Sequence, residues 1–479
     1  MLSLVDYLGM DAIALAQGVR QGDFSNAEIT SCAIEQAEKT NPAINAINIA
    51  CFEAALAKAE TFDQNPELLK QSRVAGLPFL IKDLANVAGL PTTYGSRLYS
   101  DFTAGQNARI VDKYLHAGLV VLGKTSTPEC GLTLTTESIA NGITRNPWNT
   151  EHSTGGSSGG AAAAVAAGIT PVAHATDGGG SIRIPAACCG LFGLKPSRGL
   201  TAIEDSLAAC WGGMSVGHVV SQTVRDSAAF LDLITLAEPK QFALPASPRS
   251  FYEQLDSASE QLRIGVQAEH PLDQAIDAEC STAVQNAARL CESLGHRVEE
   301  ISHPVDYRPV VSAMGTMINC YLFKTLSPRL EALGLELQDA PVEASTLVMA
   351  LAGRDVTATR YLAAVDTVKN AERQMAEFHH HYDALLSPVL SKPPVKIGWL
   401  NMNSSDMKQY TDRFKQYSGF TALYNGTGQP SMSVPLHRTE SGLPVGVMFT
   451  GAWGADARLL GLAQQLEAAQ PWPCRAPPA

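Results

Sequence analysis

The spacing of hydrophobic and polar residues changes character several times along the chain, and each change predicts a different kind of element. Residues 5–41 read as two helices. Ser25 with Glu28 three positions later forms a capping box at the start of the second, and Asn41-Pro42 is expected to close it. From Val74 onward short apolar runs at 77–84 and 119–122 alternate with helical segments, the pattern of a sheet with helices on its faces. The alanine-rich run 161–167, beginning directly after Gly160, is a strong helix former. Past about residue 238 a proline-rich polar texture predicts a surface connection, and residues 262–302 then read strand, helix, strand. Residues 303–420 are helical and less patterned, and strand-like runs return at 431–436 and 444–450. No internal repeat is visible. The expected architecture is one compact α/β unit, with N-terminal helices at about 5–41, a core at about 70–235, a variable stretch at about 240–420 and a return to the core at about 421–470.

Composition narrows the function without naming it. The chain has 479 residues, is 45% hydrophobic and carries a formal charge of −12. A large core is therefore affordable, while an acidic chain with no basic run is a poor match for nucleic acid or an anionic membrane. The first residues contain Asp6 and Asp11 and lack a basic n-region, so no secretory signal is read there. No uncharged apolar run reaches the roughly 18 residues that a membrane span needs. A cytoplasmic location is expected. The ten cysteines form no Cys-x-x-Cys pair and read as buried reduced thiols. The tract His379-His380-His381 could suggest a metal, but three consecutive helical residues point in different directions, which favours a solvated face.

The chemistry concentrates between Gly155 and Arg183. Gly-Gly-Ser-Ser-Gly-Gly fills 155–160, and Asp-Gly-Gly-Gly-Ser-Ile-Arg fills 177–183. Each segment sets hydroxyls among glycines whose backbone N–H groups can approach a bound group closely, and the pair suggests one site made from two loops. A phosphate loop is excluded because Ala161-Ala162 stand where its lysine and magnesium-binding hydroxyl are required. A dinucleotide fingerprint fails because Arg183 takes the place of its third glycine. Gly155 to Gly159 also matches Gly-x-Ser-x-Gly, which would make Ser157 an elbow nucleophile, but that elbow follows a hydrophobic strand and here a polar loop precedes it. Lys82 ends an apolar run. Alone it would read as a strand-end lysine reaching water, and Ser181 alone as a cap. Together, a lysine and two serines supply what a serine hydrolase without a histidine base needs. His152 and His174 flank the motif region as neighbours of the site or as packing groups.

These segments, with Gly-Leu-Pro-Phe-Leu-Ile-Lys-Asp at 76–83, Gly-Lys-Thr-Ser-Thr-Pro-Glu at 123–129, Thr-Arg-Asn-Pro-Trp-Asn at 144–149 and Gly-Leu-Phe-Gly-Leu-Lys-Pro at 190–196, resemble the amidase signature family of serine hydrolases. Gly-Thr-Gly-Gln-Pro at 426–430 and Gly-Leu-Pro-Val-Gly-Val at 442–447 extend the resemblance more loosely to the C-terminal part. Among the family's branches the chain is most similar to the amidases around 6-aminohexanoate-cyclic-dimer hydrolase. The resemblance implies an α/β amidase signature fold, with a large central mixed β-sheet covered by helices on both faces. It also implies Ser181 as nucleophile, Ser157, after a cis peptide bond, as the proton-relaying serine, and Lys82 as the base. The backbone N–H groups of Gly178, Gly179, Gly180 and Ser181 would form an oxyanion hole, with Asp177, Arg183 and Ser158 supporting the loop. The implied reaction is hydrolysis of a small or amphipathic amide through an acyl-enzyme, without metal or organic cofactor. The expected partner is the small-molecule substrate, with a homodimer left open. The stretch containing Trp211 and Met214 is expected in the substrate pocket, while Cys320 receives no role.

Two other functions share these motifs. A glutaminase subunit of a tRNA-dependent amidotransferase would carry Phe-Ala-Ser-Ser-Leu-Asp-Gln before its Thr-Val-x-Asp segment, whereas this chain has Met-Ser-Val-Gly-His-Val-Val-Ser-Gln at 214–222 before Thr223-Val-Arg-Asp. A silent binding or receptor module would be expected to have lost catalytic groups, and Lys82, Ser157 and Ser181 are all present.

Overall fold

Strands buried on both faces read as continuous apolar runs, and Pro78–Lys82 is of this kind, with every residue buried. The computed structural model describes residues 2–201, 210–235, 249–255, 261–473 and 475–477. Its main sheet has eight strands in the order Arg297–Glu300, Arg263–Val266, Ala384–Pro388, Pro444–Gly451, Ser431–Arg438, Phe192–Lys195, Val216–Ser221 and Val172–Asp177. The first two pairings are parallel and the rest antiparallel. A second sheet orders Ile47–Ala50, Val120–Thr125 and Pro78–Lys82, and its Pro78–Lys82 edge lies against Val172–Asp177. At that seam the Lys82 N–H donates to His174 Nδ1 at 3.2 Å. A side chain, not a carbonyl, takes the amide there; the eight-stranded sheet is the expected large mixed sheet, and the three-stranded one lies beside it.

The N-terminal region holds three helices, not two: Leu4–Leu8, Ala12–Gln21 and Asn26–Ile44. Ser25 and Glu28 form the capping box. The third helix runs through Pro42 and ends at Asn45 in the left-handed conformation. Pro42 falls in the last turn, which is held by Asn45 N–H on the Asn41 carbonyl at 2.8 Å and by the Asn41 side chain, which pairs with the Ile47 backbone. The strand, helix and strand expected over 262–302 form as Arg263–Val266, Ala278–Ser293 and Arg297–Glu300. In the less patterned stretch, helices Tyr307–Leu333, Ala344–Arg354, Ala358–Phe378 and Met407–Tyr417 are joined by one element the pattern missed, Ala384–Pro388. Every residue of that strand is buried, so it shows no alternation of apolar and polar positions. The surface connection expected past residue 238 lies outside the described residues.

The helix Gly159–Ala166 is buried on all eight residues, as an apolar helix inside a protein must be. Side chains including Met314, Val368, Leu385, Phe420 and Met448 form a second core, and Leu98, Leu132, Leu322 and Leu326 a third. Among the described residues, no helix is long and apolar enough to cross a membrane.

Candidate active site

The two glycine-serine loops meet at the end of strand Val172–Asp177. Ser158 N–H donates to the Ser181 carbonyl at 3.3 Å, while Ser158 Oγ donates to the Thr176 carbonyl at 3.2 Å. The Gly156–Ser157 peptide bond is cis. Gly156 is required by close approach, because a Cβ there would lie 2.6 Å from the Thr135 carbonyl oxygen. Thr136 Oγ1 donates to the Gly155 carbonyl at 2.9 Å and Thr127 Oγ1 to that of Ser157 at 3.0 Å, so hydroxyls from neighbouring segments fix the loop.

Lys82 is fully buried. Its Nζ lies 2.7 Å from Ser157 Oγ and 2.9 Å from Thr176 Oγ1. Burial pushes its amine well below the ordinary value of 10.5, and Asp177 opposes that shift only in part. Desolvation favours the uncharged form, which leaves a lone pair available to the Ser157 hydroxyl. Thr176 was not singled out from the sequence, although it adjoins Asp177 in the same motif.

Asp177 and Arg183 are paired and fully buried, not on the surface: Arg183 Nη2 lies 2.9 Å from Asp177 Oδ1 and Nε donates to Oδ2 at 3.0 Å. Arg183 also donates to the Thr421 carbonyl and to Asn425 Oδ1. Burial pushes the Asp177 carboxyl up, but the charge and hydrogen bonds of Arg183 outweigh it and hold the group below the ordinary carboxylate range. The carboxylate also accepts the N–H groups of Gly180 at 2.7 Å and Ile182 at 3.1 Å. This corrects one expectation. The Gly180 N–H is occupied by Asp177, whereas those of Gly178, Gly179 and Ser181 have no acceptor among the described residues. Replacing Arg183 with leucine leaves a buried carboxylate without its countercharge, so we expect a loss of about 3–5 kcal/mol in unfolding free energy by denaturant titration. A loss below about 1 kcal/mol would show that the pair does not brace the loop.

Ser157, Ser181, Thr176, Gly178 and His174 face one cavity of about 330 Å³, whose remaining wall includes Tyr94, Tyr99, Phe102, Leu132, Trp211 and Leu322. Trp211 lies against Gly178, where a Cβ would sit 2.7 Å from the indole. Met214 does not reach this chamber. It is buried in the second core and borders a larger open cleft of about 1130 Å³ with Gly212, Met317, Tyr361 and Arg198. The outward turn of residues 212–214 separates the two residues that proximity in sequence had grouped. His152 lies on the ribbon strand Asn149–Ser153, bridging to Lys396, and Cys320 on the helix Tyr307–Leu333. Neither lines the chamber.

Two serines and open amides at one chamber, with a buried lysine against Ser157, make an arrangement suited to acyl transfer. A family model described as Amidase matches residues 28–460. The chain belongs to the amidase family. It has an α/β fold and is a hydrolase acting on amide bonds. It is 35% identical over 480 residues to a putative amidase, AmiC, of Mycobacterium leprae, covering 98% of this chain and 97% of that protein. It is 34% identical over 495 residues to a 6-aminohexanoate-cyclic-dimer hydrolase of Paenarthrobacter ureafaciens, covering 99% and 98%. A solved structure of 6-aminohexanoate cyclic dimer hydrolase superposes with a TM-score of 0.90 at 33% identity, covering 98% of this chain and 99% of that one. The branch indicated by the sequence motifs is thus among the relatives found.

Proposed function

We propose that this amidase works through Ser181 as nucleophile, Ser157 as proton relay and Lys82 as base, on uncharged amides. The observation that carries the reading is the 2.7 Å contact of a fully buried Lys82 amine with Ser157 Oγ, at the wall of a chamber that also takes in Ser181. Neutral Lys82 accepts the Ser157 proton while Ser157 takes that of Ser181, and Ser181 Oγ bonds to the amide carbon. The oxyanion that forms is held by the N–H groups of Gly178, Gly179 and Ser181, donors fixed in place before charge develops. The C–N bond then breaks, the leaving amine receives the proton back through Ser157, and water releases the acyl group by the same relay.

The chamber also supports a reading of the substrate. Among the described residues, no Asp, Glu, Lys or Arg lines it, and transferring an unpaired charge into such a wall costs several kcal/mol. Neutral amides with an aryl or aliphatic body fit better than zwitterions or amino-acid amides. The enzyme alone, without ATP, tRNA or a second polypeptide, is expected to hydrolyse a neutral N-alkyl or N-aryl amide. Adding a carboxylate to the same body should lower kcat/KM about 100-fold or more. Equal kcat/KM for the two would remove the substrate reading. Inertness on every amide and ester, with ammonia released from glutamine once a partner subunit is added, would replace it with the glutaminase reading.

A further inference from the structure

Strand alternation puts Val172, His174 and Thr176 on one face of the edge strand Val172–Asp177, and the last two of these both touch Lys82. Thr176 Oγ1 contacts the amine at 2.9 Å, while His174 Nδ1 accepts the backbone N–H at 3.2 Å. The lysine is therefore gripped at both ends by residues two apart on one strand. His174 is fully buried. With Nδ1 acting as acceptor, the ring proton of neutral imidazole belongs on Nε2, and that nitrogen has no partner among the described residues. A buried ring that leaves one nitrogen unpaired while spending the other on the base's own amide calls for an explanation.

We infer that His174 is a positioning residue for the base, its Nδ1 fixing the Lys82 backbone across the seam between the two sheets so that Nζ is held at Ser157. This rests on Lys82 being the base. Around Lys82 stand Thr176, His174 and Asp177 from the edge strand, and Ser157 from the loop. Around His174 stand the basic groups Lys82, His218 and Lys124 and the ring of Tyr114, 5.8 Å away between centroids. Burial first, and then those basic neighbours, push the His174 imidazole down to about 3. It thus stays neutral across the working range and adds no charge beside the amine.

Isosteric variants separate this role from mere packing. Asn places an acceptor near the position of Nδ1, whereas Gln places its amide near Nε2. His174→Asn should keep kcat within about 10-fold of wild type. His174→Gln and His174→Leu should lose about 10–100-fold in kcat at little change in KM, and the acid limb of their kcat/KM profile should move to higher pH as the loosened amine regains solvent. Thermal melting identifies any variant that fails to fold. If Gln retains activity where Asn loses it, or if both lose rate with the acid limb unmoved, the positioning role is wrong. Lys82→Ala is measured alongside: an active Lys82→Ala protein would overturn the lysine reading itself, whereas an inactive one with unresponsive His174 variants would overturn the inference about His174 alone.

Discussion

Lys82→Ala is expected to abolish most turnover while the protein remains folded. General-base catalysis alone contributes roughly 10²–10⁴-fold, and here Lys82 Nζ is the basic group in contact with Ser157 Oγ, so the loss in kcat should reach at least that range. Lys82→Met, closer in volume, tests the stability side. The folded protein holds the amine below its ordinary 10.5 because burial disfavours the charged form, while the unfolded chain binds the proton normally. Between those two values the unfolded state carries more protons, so wild-type stability rises with pH across the window and falls as pH drops through it. The Met variant escapes that penalty. Its stability relative to wild type should grow as pH falls from about 10.5 toward the lowered folded value and level off below it. Wild-type kcat/KM should fall over the lower end of the same window as the base becomes protonated. Near-wild-type turnover in either variant, or a relative stability independent of pH, would take neutral Lys82 out of the mechanism.

Which parts of this site could be read from the sequence follows from the range over which each interaction acts. Ser157 and Ser181 are marked by glycines immediately beside them, and Lys82 by the apolar run it ends, so local pattern reached all three. The helix Gly159–Ala166 and strands Ser431–Arg438 and Pro444–Gly451 were legible for the same reason. Thr176 and His174 act on Lys82 only because strand Val172–Asp177 packs against Pro78–Lys82, a contact that no local pattern encodes. The occupation of the Gly180 N–H by Asp177 is a matter of ångströms in loop geometry. Trp211 and Met214 diverge because Trp211, Gly212 and Gly213 all have positive φ, which turns the chain so that one side chain enters the chamber and the other the second core. Only Gly is at ease in that conformation, and a Trp carrying it gave no sign in the sequence.

Ser181→Ala is expected to be the most damaging single change, with kcat lowered on the order of 10⁴–10⁶-fold, the scale seen when a nucleophile acting as a unit with its base is removed. The rival nucleophile is Ser157, which sits in Gly-x-Ser-x-Gly. Geometry argues against it, because Ser157 Oγ lies 2.7 Å from Lys82 Nζ and its carbonyl is held by Thr127, a placement suited to handing protons on. Ser181 instead follows three glycines in the Asp177-braced loop, and its own N–H is among the open donors, so an oxyanion formed on an acyl group at its Oγ would meet amides of the same loop. A fluorophosphonate followed by peptide mapping should therefore label Ser181 in the wild-type protein. The Ser181→Ala protein should take up no label. Ser157→Ala should still be labelled at Ser181, but more slowly, because the nucleophile remains and the relay to Lys82 is gone. Label on Ser157 with Ser181 untouched would exchange the two roles. Equal labelling rates in wild type and Ser157→Ala would show that the lysine does not reach Ser181 through that serine.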